Sequence, residues 1–345
     1  MEMKIDTAAL EGVKYEAKNF KNDSLVKWCP GCGDHAVLAS LHKAMAEVGV
    51  APEDTVVVSG IGCSSRLPYY MNTYGFHSIH GRGAAIATGV KTANPDLGVW
   101  LITGDGDCLA IGGNHFIHAL RRNIDLNIVL MNNKIYGLTK GQYSPTSPRG
   151  FVTKSSPFGT VEDPFIPAEL VFGARGKFFA RSLDVDMKMT QDCMISAAKH
   201  QGAAVVEVLV NCVIFNNGIH REYSDREIRE ERTIYLRHGE KMIYGKNKDK
   251  GIVLEGLELK AVTIGQDGYT MDDILVHDAH EPSPVLHTML AMMQDDMPLA
   301  MGVIRDVAAP SYETAVAQQI AEVQAKSGKE TLQQHLNRIS TWEVK

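Results

Sequence analysis

The sequence predicts an α/β protein with a doubly wound, mostly parallel sheet, followed by a C-terminal extension of mixed α and β structure. Short apolar runs that alternate with helical segments indicate the sheet. Two of these runs, residues 99–103 and 126–131, are separated by about one helix, which is the pattern of a βαβ unit. The chain has 345 residues, 44% apolar and 22% charged, which are ordinary values for a globular protein of this size.

The order of elements follows from local patterns. Small residues at helical spacing predict close helix packing at 83–90, and consecutive valines predict a buried strand at 55–58. Gly, Pro, Ser and Thr are frequent at 137–167, which indicates a long ordered loop. The predicted helices are 33–48, 83–90, the segment after residue 107, 191–200, 285–293 and 313–326, and the predicted strands are 55–58, 99–103, 126–131, 204–210 and 299–304. Residues 221–232 form a mixed charge run, typical of a solvated helix face, and 242–265 alternate as in a hairpin.

Charge and hydropathy exclude several classes of function. The net charge of -6 gives no support for nucleic-acid binding. No apolar run approaches the length of about 18 residues that a membrane span needs, so we expect no transmembrane helix. Residues 1–24 are polar and carry no apolar signal-peptide core, so we expect a cytoplasmic protein whose thiols stay reduced.

A Gly-Asp-Gly-Asp segment at 104–107 and an Asn-Asn pair at 132–133 each follow a predicted strand. Because parallel strands place their carboxyl ends at one edge, Asp105 and Asn133 should lie together. A carboxylate oxygen, an amide oxygen and the carbonyl of Ile135 suit Mg²⁺, which usually also takes diphosphate oxygens. Gly106 leaves its backbone N–H open to an anion. Two ordinary tight turns are the alternative interpretation.

The six cysteines include a Cys-x-x-Cys pair, Cys29 and Cys32. Such a pair in a cytosolic chain indicates metal or redox chemistry. Cys63 and Cys212 each follow a predicted strand, which makes them candidates for two further ligands of an iron–sulfur cluster. Cys193 and Cys108 are expected to be packing thiols. Structural zinc at the pair is the alternative, although zinc usually takes a second pair that the chain lacks.

The Gly-Asp-Gly segment is followed by an Asn-Asn pair whose second residue, Asn133, lies 28 residues after Asp105. These two motifs at this spacing resemble the signature of thiamine diphosphate enzymes. The resemblance implies the doubly wound sheet of the thiamine diphosphate-binding type. It also implies that Asp105, Asn133 and the Ile135 carbonyl hold Mg²⁺, with Gly106 and Asp107 along the diphosphate.

The combination of this signature with the cysteines resembles the β subunits of 2-oxoacid:ferredoxin oxidoreductases, most of all the 2-oxoglutarate type. The likeness covers roughly residues 28–212. It is carried by the segments Cys-Pro-Gly-Cys-Gly-Asp-His (29–35), Gly-Ile-Gly-Cys-Ser-Ser-Arg (60–66), His-Gly-Arg-Gly-Ala (80–84), Gly-Asp-Gly-Asp (104–107) and Asn-Asn-Lys-Ile-Tyr-Gly-Leu-Thr-Lys-Gly-Gln (132–142). It implies that one [4Fe–4S] cluster is held by Cys29, Cys32, Cys63 and Cys212.

The implied reaction converts 2-oxoglutarate, coenzyme A and oxidised ferredoxin to succinyl-CoA, CO₂ and reduced ferredoxin, or the reverse. Three alternatives stay open: a pyruvate or branched-chain 2-oxo acid enzyme, a non-redox thiamine diphosphate lyase with structural zinc, and an electron-transfer subunit with a vestigial thiamine site. The intact pair of Asp105 and Asn133 argues against the last.

Several side chains are candidates for contacts inside the site. Arg66 suits a substrate carboxylate, and His80 suits a catalytic hydrogen bond to the thiazolium or the substrate. Leu138 is expected beside the cofactor or substrate, and Lys140 near the substrate, coenzyme A or the diphosphate. The full set expected to contact the cofactor is Ile61, Gly62, Ser64, His80, Gly106, Asp107, Gly137 and Leu138. A surface or phosphate-facing arginine, a core histidine, a packing leucine and a solvated lysine are the ordinary alternatives.

Thiamine diphosphate enzymes need a glutamate beside the aminopyrimidine ring, and none of Glu47, Glu53, Glu162 and Glu169 is convincing in that role. We therefore expect a partner α subunit that supplies this glutamate and most coenzyme A and 2-oxo acid contacts, in an α2β2 assembly that reduces ferredoxin. The expected organisation is an N-terminal extension (1–24), a thiamine diphosphate, Mg²⁺ and iron–sulfur binding domain (25–215) and a C-terminal extension for subunit contact (216–345).

Overall fold

A computed structural model describes residues 14–327, 330–338 and 341–342. Its strands are β1 (Thr55–Ser59), β2 (Tyr74–His77), β3 (Gly98–Gly104), β4 (Asn127–Asn132), β5 (Phe178–Leu183), β6 (Ala204–Leu209), β7 (Thr233–Leu236), β8 (Ile243–Tyr244), β9 (Lys250–Glu255), β10 (Glu258–Thr263) and β11 (Leu299–Asp306). Its α-helices are α1 (Asp34–Val48), α2 (Gly83–Ala93), α3 (Gly113–Arg122), α4 (Pro167–Gly173), α5 (Met187–Lys199), α6 (Arg221–Ser224), α7 (Arg229–Arg232), α8 (Val285–Ala291), α9 (Tyr312–Ser327) and α10 (Leu332–Leu336).

An eight-stranded sheet in the order β2-β1-β3-β4-β6-β5-β11-β7 forms the centre of the described structure. The six strands from β2 to β5 are parallel, and β11 runs antiparallel to β5 while pairing in parallel with β7. The predicted mostly parallel sheet is therefore confirmed. Its parallel strands end at one edge, where the loops after β1, β3 and β4 meet.

Apolar side chains cover both faces of the sheet, because successive residues of a strand point to opposite sides. On one face Val58 and Ile128 pack in the same cluster as Phe116 of α3. On the other face Val57 and Val129 cluster with Leu41 of α1. Strands buried on both faces explain the continuous apolar runs in the sequence, and the doubly wound prediction is confirmed.

Most predicted elements are present, with two differences in extent. Helix α5 begins at Met187 rather than near residue 191, because the Asp186 carboxylate caps the helix by accepting a hydrogen bond from the Met189 N–H at 3.1 Å. The charge run at 221–232 forms two short helices, α6 and α7, instead of one. The hairpin predicted at 242–265 is present as β9 and β10, and β8 extends it to three strands.

The C-terminal part shares its sheet with the rest of the chain. Strands β7 and β11 complete the eight-stranded sheet, whereas β8, β9 and β10 form a separate three-stranded sheet. The boundary at residues 215 and 216 stays a prediction. Of the predicted N-terminal extension, residues 1–13 lie outside the described residues. No helix among the described residues has both the length and the apolar character needed to cross a bilayer.

Candidate functional site

A cavity opens at the carboxyl edge of β1, β3 and β4. Its walls come from three loops, residues 61–64 after β1, 104–107 at the end of β3 and 133–139 after β4, together with Asp34, His80 and Met131. This location is the one that the carboxyl-end rule predicts for a ligand in a parallel sheet. The sequence-predicted residues that the cavity brings together are Ile61, Gly62, Cys63, Ser64, His80, Asp105, Gly106, Asp107, Asn133, Ile135, Gly137 and Leu138.

Asp105 is 2% exposed and lies in the cavity wall. Its Oδ2 accepts hydrogen bonds from the hydroxyls of Ser144 and Thr146, both at 2.5 Å. Burial raises the pKa of this carboxyl, and the two hydroxyl donors partly oppose the rise. A cation at Asp105 would offset the cost of burying its charge.

Asn133 and Ile135 lie on the tight turn that follows β4. The Asn133 side-chain oxygen accepts a hydrogen bond from the Ile135 N–H at 3.1 Å, which fixes the turn. Both residues line the cavity with Asp105. The cavity therefore brings the three predicted Mg²⁺ ligands together and offers the oxygen donors that a hard cation takes.

Gly106 lies under the ring of Tyr136. A Cβ at this position would be 2.3 Å from Tyr136 Cε1, and the Tyr136 hydroxyl donates a hydrogen bond to the Gly106 carbonyl at 2.9 Å. Residues 106–111 form a π-helical turn, a conformation common at functional sites. The close contact explains why a residue without a side chain is required here.

Three chain segments bring four cysteines to one end of the cavity. The Trp28 indole N–H donates to the Cys63 carbonyl at 2.7 Å, and the Gly33 N–H donates to the Asn211 carbonyl at 3.2 Å. A Cβ at Gly137 would lie 3.5 Å from Cys63 Sγ and 3.6 Å from Cys212 Sγ. Cys63 also lines the cavity, so the cysteines adjoin the thiamine-type motif.

The surroundings of these cysteines disfavour the ionised thiolate form. Burial raises the pKa of Cys63 to about 12, with Asp34 and the neighbouring cysteines adding to the rise. Burial likewise raises the pKa of Cys32 well above its ordinary value, and Asp34 adds to it. Iron would supply the positive charge that lets these sulfurs ionise. The residues therefore fit a metal cluster better than free reactive thiols.

The described residues contain no group of three or more His, Cys, Asp or Glu side chains arranged around one metal ion. A four-iron cluster spreads its thiolates further apart than a single ion does, so this finding and the convergence of the cysteines are compatible. All six cysteines are free, and Cys108 and Cys193 are buried as expected for packing thiols.

Arg66 lies in a recess that adjoins the cavity through Ile61, Gly62 and Leu138. Lys27 and His77 also line this recess, and no Asp or Glu does among the described residues. Leu138 is 43% exposed and borders both spaces. Lys140 is exposed on the following turn and lines neither space. Its predicted substrate contact therefore gains no support from these walls.

Three features of the site were missed by the sequence analysis. Asp34 lines the cavity and is fully buried, and burial raises its pKa to about 7. Its signal was present, because it directly follows the Cys-Pro-Gly-Cys-Gly segment. Ser144 and Thr146 bind Asp105 from a loop whose composition carries no such signal. Asp107 was expected along the diphosphate, but its carboxylate accepts hydrogen bonds from the N–H groups of Ile61 and Gly81, contacts that a sequence does not reveal.

Comparison with known proteins agrees with this geometry. Residues 60–208 match the family described as thiamine pyrophosphate enzyme, C-terminal TPP binding domain. The 2-oxoglutarate oxidoreductase subunit KorB of Mycobacterium tuberculosis is 46% identical over 333 residues, which cover 95% of this chain and 88% of that protein. The 2-oxoglutarate synthase subunit KorB of Archaeoglobus fulgidus is 48% identical over 54% of this chain and 69% of its own length.

A solved structure shares the fold. The 2-oxoglutarate:ferredoxin oxidoreductase from Magnetococcus marinus, with 2-oxoglutarate, coenzyme A and succinyl-CoA bound, superposes with a TM-score of 0.73 at 29% identity. The match covers 95% of this chain and 96% of that one. The cavity motifs, the thiols beside them and these likenesses agree. This chain belongs to the family of 2-oxoacid:ferredoxin oxidoreductase β subunits.

Proposed function

We propose that this chain, with an α subunit, converts 2-oxoglutarate, coenzyme A and oxidised ferredoxin to succinyl-CoA, CO₂ and reduced ferredoxin. The observation that carries the proposal is the position of Cys63, which lines the cavity and also lies with Cys212 beside Gly137. One residue thus joins a thiamine-type site to a group of thiols. The M. tuberculosis relative, similar over nearly the whole chain, favours 2-oxoglutarate as the substrate.

Asp105, Asn133 and the carbonyl of Ile135 would hold Mg²⁺, with Gly106 and Gly137 leaving room for a diphosphate. Ile61, Gly62, Ser64 and Leu138 would complete the cofactor walls. When bound, thiamine diphosphate supplies a carbon nucleophile for the 2-keto carbon and accepts the electron pair left by CO₂. The chain's own part is to orient the diphosphate, exclude water and place its polar side chains near the reacting atoms.

Cys29, Cys32, Cys63 and Cys212 would hold one [4Fe–4S] cluster. Support comes from the tie between the Cys29–Cys32 loop and the other two loops through Trp28 and Gly33. The sulfurs of Cys63 and Cys212 also lie on the same side of Gly137, 3.5 Å and 3.6 Å from the position of a Cβ there. Free thiols of this kind persist in the cytoplasm, where we place the enzyme.

The recess that contains Arg66 supports a dicarboxylic 2-oxo acid as the substrate. Arg66, Lys27 and His77 would meet the distal carboxylate, while Leu138 lies between the recess and the cofactor cavity. An Arg guanidinium binds a carboxylate in a bidentate manner and so favours a second carboxylate over the methyl group of pyruvate. Lys140 would act from the outer surface, on the substrate or coenzyme A.

The α subunit would complete the site. No glutamate is among the described residues that line the cavity, although thiamine chemistry needs one beside the aminopyrimidine. The α subunit would bring this glutamate and most contacts to coenzyme A, within an α2β2 assembly. Residues 25–215 would carry the cofactors, and residues 216–345 would contribute to subunit contact through exposed apolar side chains such as Ile320 and Val323 of α9.

The test is anaerobic co-purification with its α subunit, followed by assays of viologen reduction. We expect a brown complex with four irons per β chain, bound thiamine diphosphate, and a higher kcat/KM for 2-oxoglutarate than for pyruvate or a branched-chain 2-oxo acid. Arg66→Leu should raise the KM for 2-oxoglutarate far more than that for pyruvate. A colourless, zinc-containing protein, or a clear preference for pyruvate, would contradict the proposal.

A further inference from the structure

The carboxylate of Asp107 lies at the junction of three chain segments. It is 3% exposed, and its Oδ1 accepts hydrogen bonds from the N–H groups of Ile61 at 3.0 Å and Gly81 at 2.7 Å. Its Oδ2 accepts from the hydroxyl of Thr103 at 2.8 Å. A Cβ at Gly60 would lie only 1.8 Å from Oδ2, so the loop after β1 is closed tightly around this group.

The fourth partner of the Asp107 carboxylate is the imidazole of His80, whose Nδ1 lies 2.6 Å from Oδ1. Because a carboxylate with these partners acts as an acceptor, Nδ1 must carry the proton. The other ring nitrogen, Nε2, has no hydrogen-bond partner in the described part of the chain and lies on the opposite edge of the ring. His80 lines the cofactor cavity, and its side chain is 36% exposed.

The ring is also held from the side. Tyr136 meets it edge to face, with ring centroids 6.1 Å apart, and Tyr136 is itself fixed by its hydrogen bond to Gly106. Rotation of the imidazole by half a turn would break the Asp107 contact and bury an unpaired carboxylate oxygen, which is costly. The tautomer and the direction of the ring are therefore both set by Asp107.

We propose that Asp107 is a positioning residue that acts through His80: it holds the Nδ1–H and so directs Nε2 into the cavity, where the doubly protonated ring donates a hydrogen bond from its Nε2–H to the keto oxygen of the bound 2-oxo acid. This inference rests on the proposed function. Negative charge develops on that oxygen when the 2-keto carbon is attacked, so a fixed hydrogen-bonding group at this point lowers the barrier. A carboxylate behind the imidazole also stabilises the protonated ring that donates to the oxygen.

The test is a double-mutant cycle in the assembled complex, with His80→Ala, Asp107→Asn and the pair, and with Thr103→Val as the matched control. Asn keeps the size of the side chain and an Oδ1 acceptor, while Val removes a different hydrogen bond to the same carboxylate. We expect His80→Ala to lower kcat by about 100-fold and Asp107→Asn by about tenfold or more, with a smaller effect on KM. In the His80→Ala background, Asp107→Asn should change kcat less than twofold.

A second measurement does not depend on turnover. The hydrogen-bonded Nδ1 proton should give a downfield ¹H resonance that is absent in His80→Ala, moved upfield in Asp107→Asn and kept in Thr103→Val. Additive losses in the cycle, or an equal loss in Thr103→Val, would overturn the inference by showing that Asp107 only closes the loop. A wild-type complex that oxidised no 2-oxo acid would instead overturn the proposed function, and the resonance would still decide whether Asp107 fixes the tautomer.

Discussion

Gly106 occupies a point where backbone and aromatic ring are in direct contact. A methyl group there would lie 2.3 Å from the Tyr136 ring, so Gly106→Ala must displace Tyr136 and break its hydrogen bond to the Gly106 carbonyl. Displacement of this kind costs about 1–3 kcal/mol. We expect thiamine diphosphate affinity, followed by quenching of tryptophan fluorescence in the presence of Mg²⁺, to fall by about tenfold or more.

Gly173→Ala is the matched control for that substitution. Gly173 ends α4 and is exposed, and a methyl group on its Cα would have no other atom within 4 Å. Its replacement should leave cofactor affinity unchanged and thermal stability equal or slightly higher. If both variants bound the cofactor as tightly as the wild type, the cavity at Gly106 would not be the diphosphate site.

His42 on α1 should make stability fall in acid. It is 6% exposed, its Nε2 has no partner among the described residues, and burial lowers its pKa to about 4. The folded state therefore keeps it neutral while the unfolded chain protonates near pH 6.5. The contribution of neutral His42 to the free energy of unfolding is complete above pH 6.5 and is lost as the pH falls from there towards 4.

The measurement is urea unfolding of the chain at pH 7 and pH 5. In His42→Gln the decrease in unfolding free energy between these pH values should be smaller than in the wild type by about 1–2 kcal/mol. His335→Gln, at an exposed position, should keep the wild-type decrease. An unchanged decrease in His42→Gln would show that other groups cause the acid sensitivity.

Single residues with strong local signatures could be predicted. Asp105, Asn133 and Cys63 follow apolar strands, so the sequence locates them at one edge, and the structure places all three around the cavity. Ser144 and Thr146 could not be predicted as partners of Asp105, because they come from a loop about 40 residues away whose path depends on tertiary contacts. Spacing reveals which strand a residue follows but not which loop folds back over it.

Between elements, a buried ion pair joins β5 to β6. Arg181 Nε lies 2.7 Å from Glu207 Oε2, both side chains are almost fully buried, and Asn132 at the end of β4 donates to Glu207 Oε1 at 2.8 Å. Glu207→Gln would leave the Arg181 charge buried and uncompensated. We expect it to lower the free energy of unfolding by about 3–5 kcal/mol in urea titrations.

The exposed pair Arg149–Asp163 provides the comparison, since it has a similar distance of 2.8 Å but lies in solvent. Asp163→Asn should cost no more than about 1 kcal/mol. The double variant Arg181→Met with Glu207→Leu should be more stable than Glu207→Gln alone, because it leaves no unpaired charge. If Glu207→Gln and Asp163→Asn lowered the free energy of unfolding equally, burial would not strengthen the Arg181–Glu207 ion pair.

At the level of elements, β1, β3, β4 and β6 could be predicted because each is a largely apolar run between turn signals. Strand β2 was missed, since it has only four residues, all exposed at the sheet edge. Strand β5 was also missed, because Arg181 and Ser182 interrupt its apolar run. Strand β11 was predicted as a strand, but its antiparallel pairing with β5 was not, because the two are more than 100 residues apart. Partner choice over such separations depends on packing and not on local pattern.

The whole molecule presents a cofactor site without all of the groups that its chemistry needs. The described walls of the cavity supply oxygen ligands for a cation and a histidine, but no glutamate. The chain alone should therefore bind thiamine diphosphate and Mg²⁺ yet show no viologen reduction with 2-oxoglutarate. Adding the separately purified α subunit should restore turnover in proportion to complex formation, up to a 1:1 ratio.

Two variants locate the missing group in that experiment. A glutamate-to-glutamine change in the α subunit that abolishes turnover, while leaving complex formation and cofactor affinity intact, would place the activating carboxylate there. Glu162→Gln in this chain should have no comparable effect, because Glu162 is exposed outside the cavity, next to Tyr143. Turnover by the chain alone would contradict the shared site, since an activating carboxylate would then have to come from this chain or from a second copy of it.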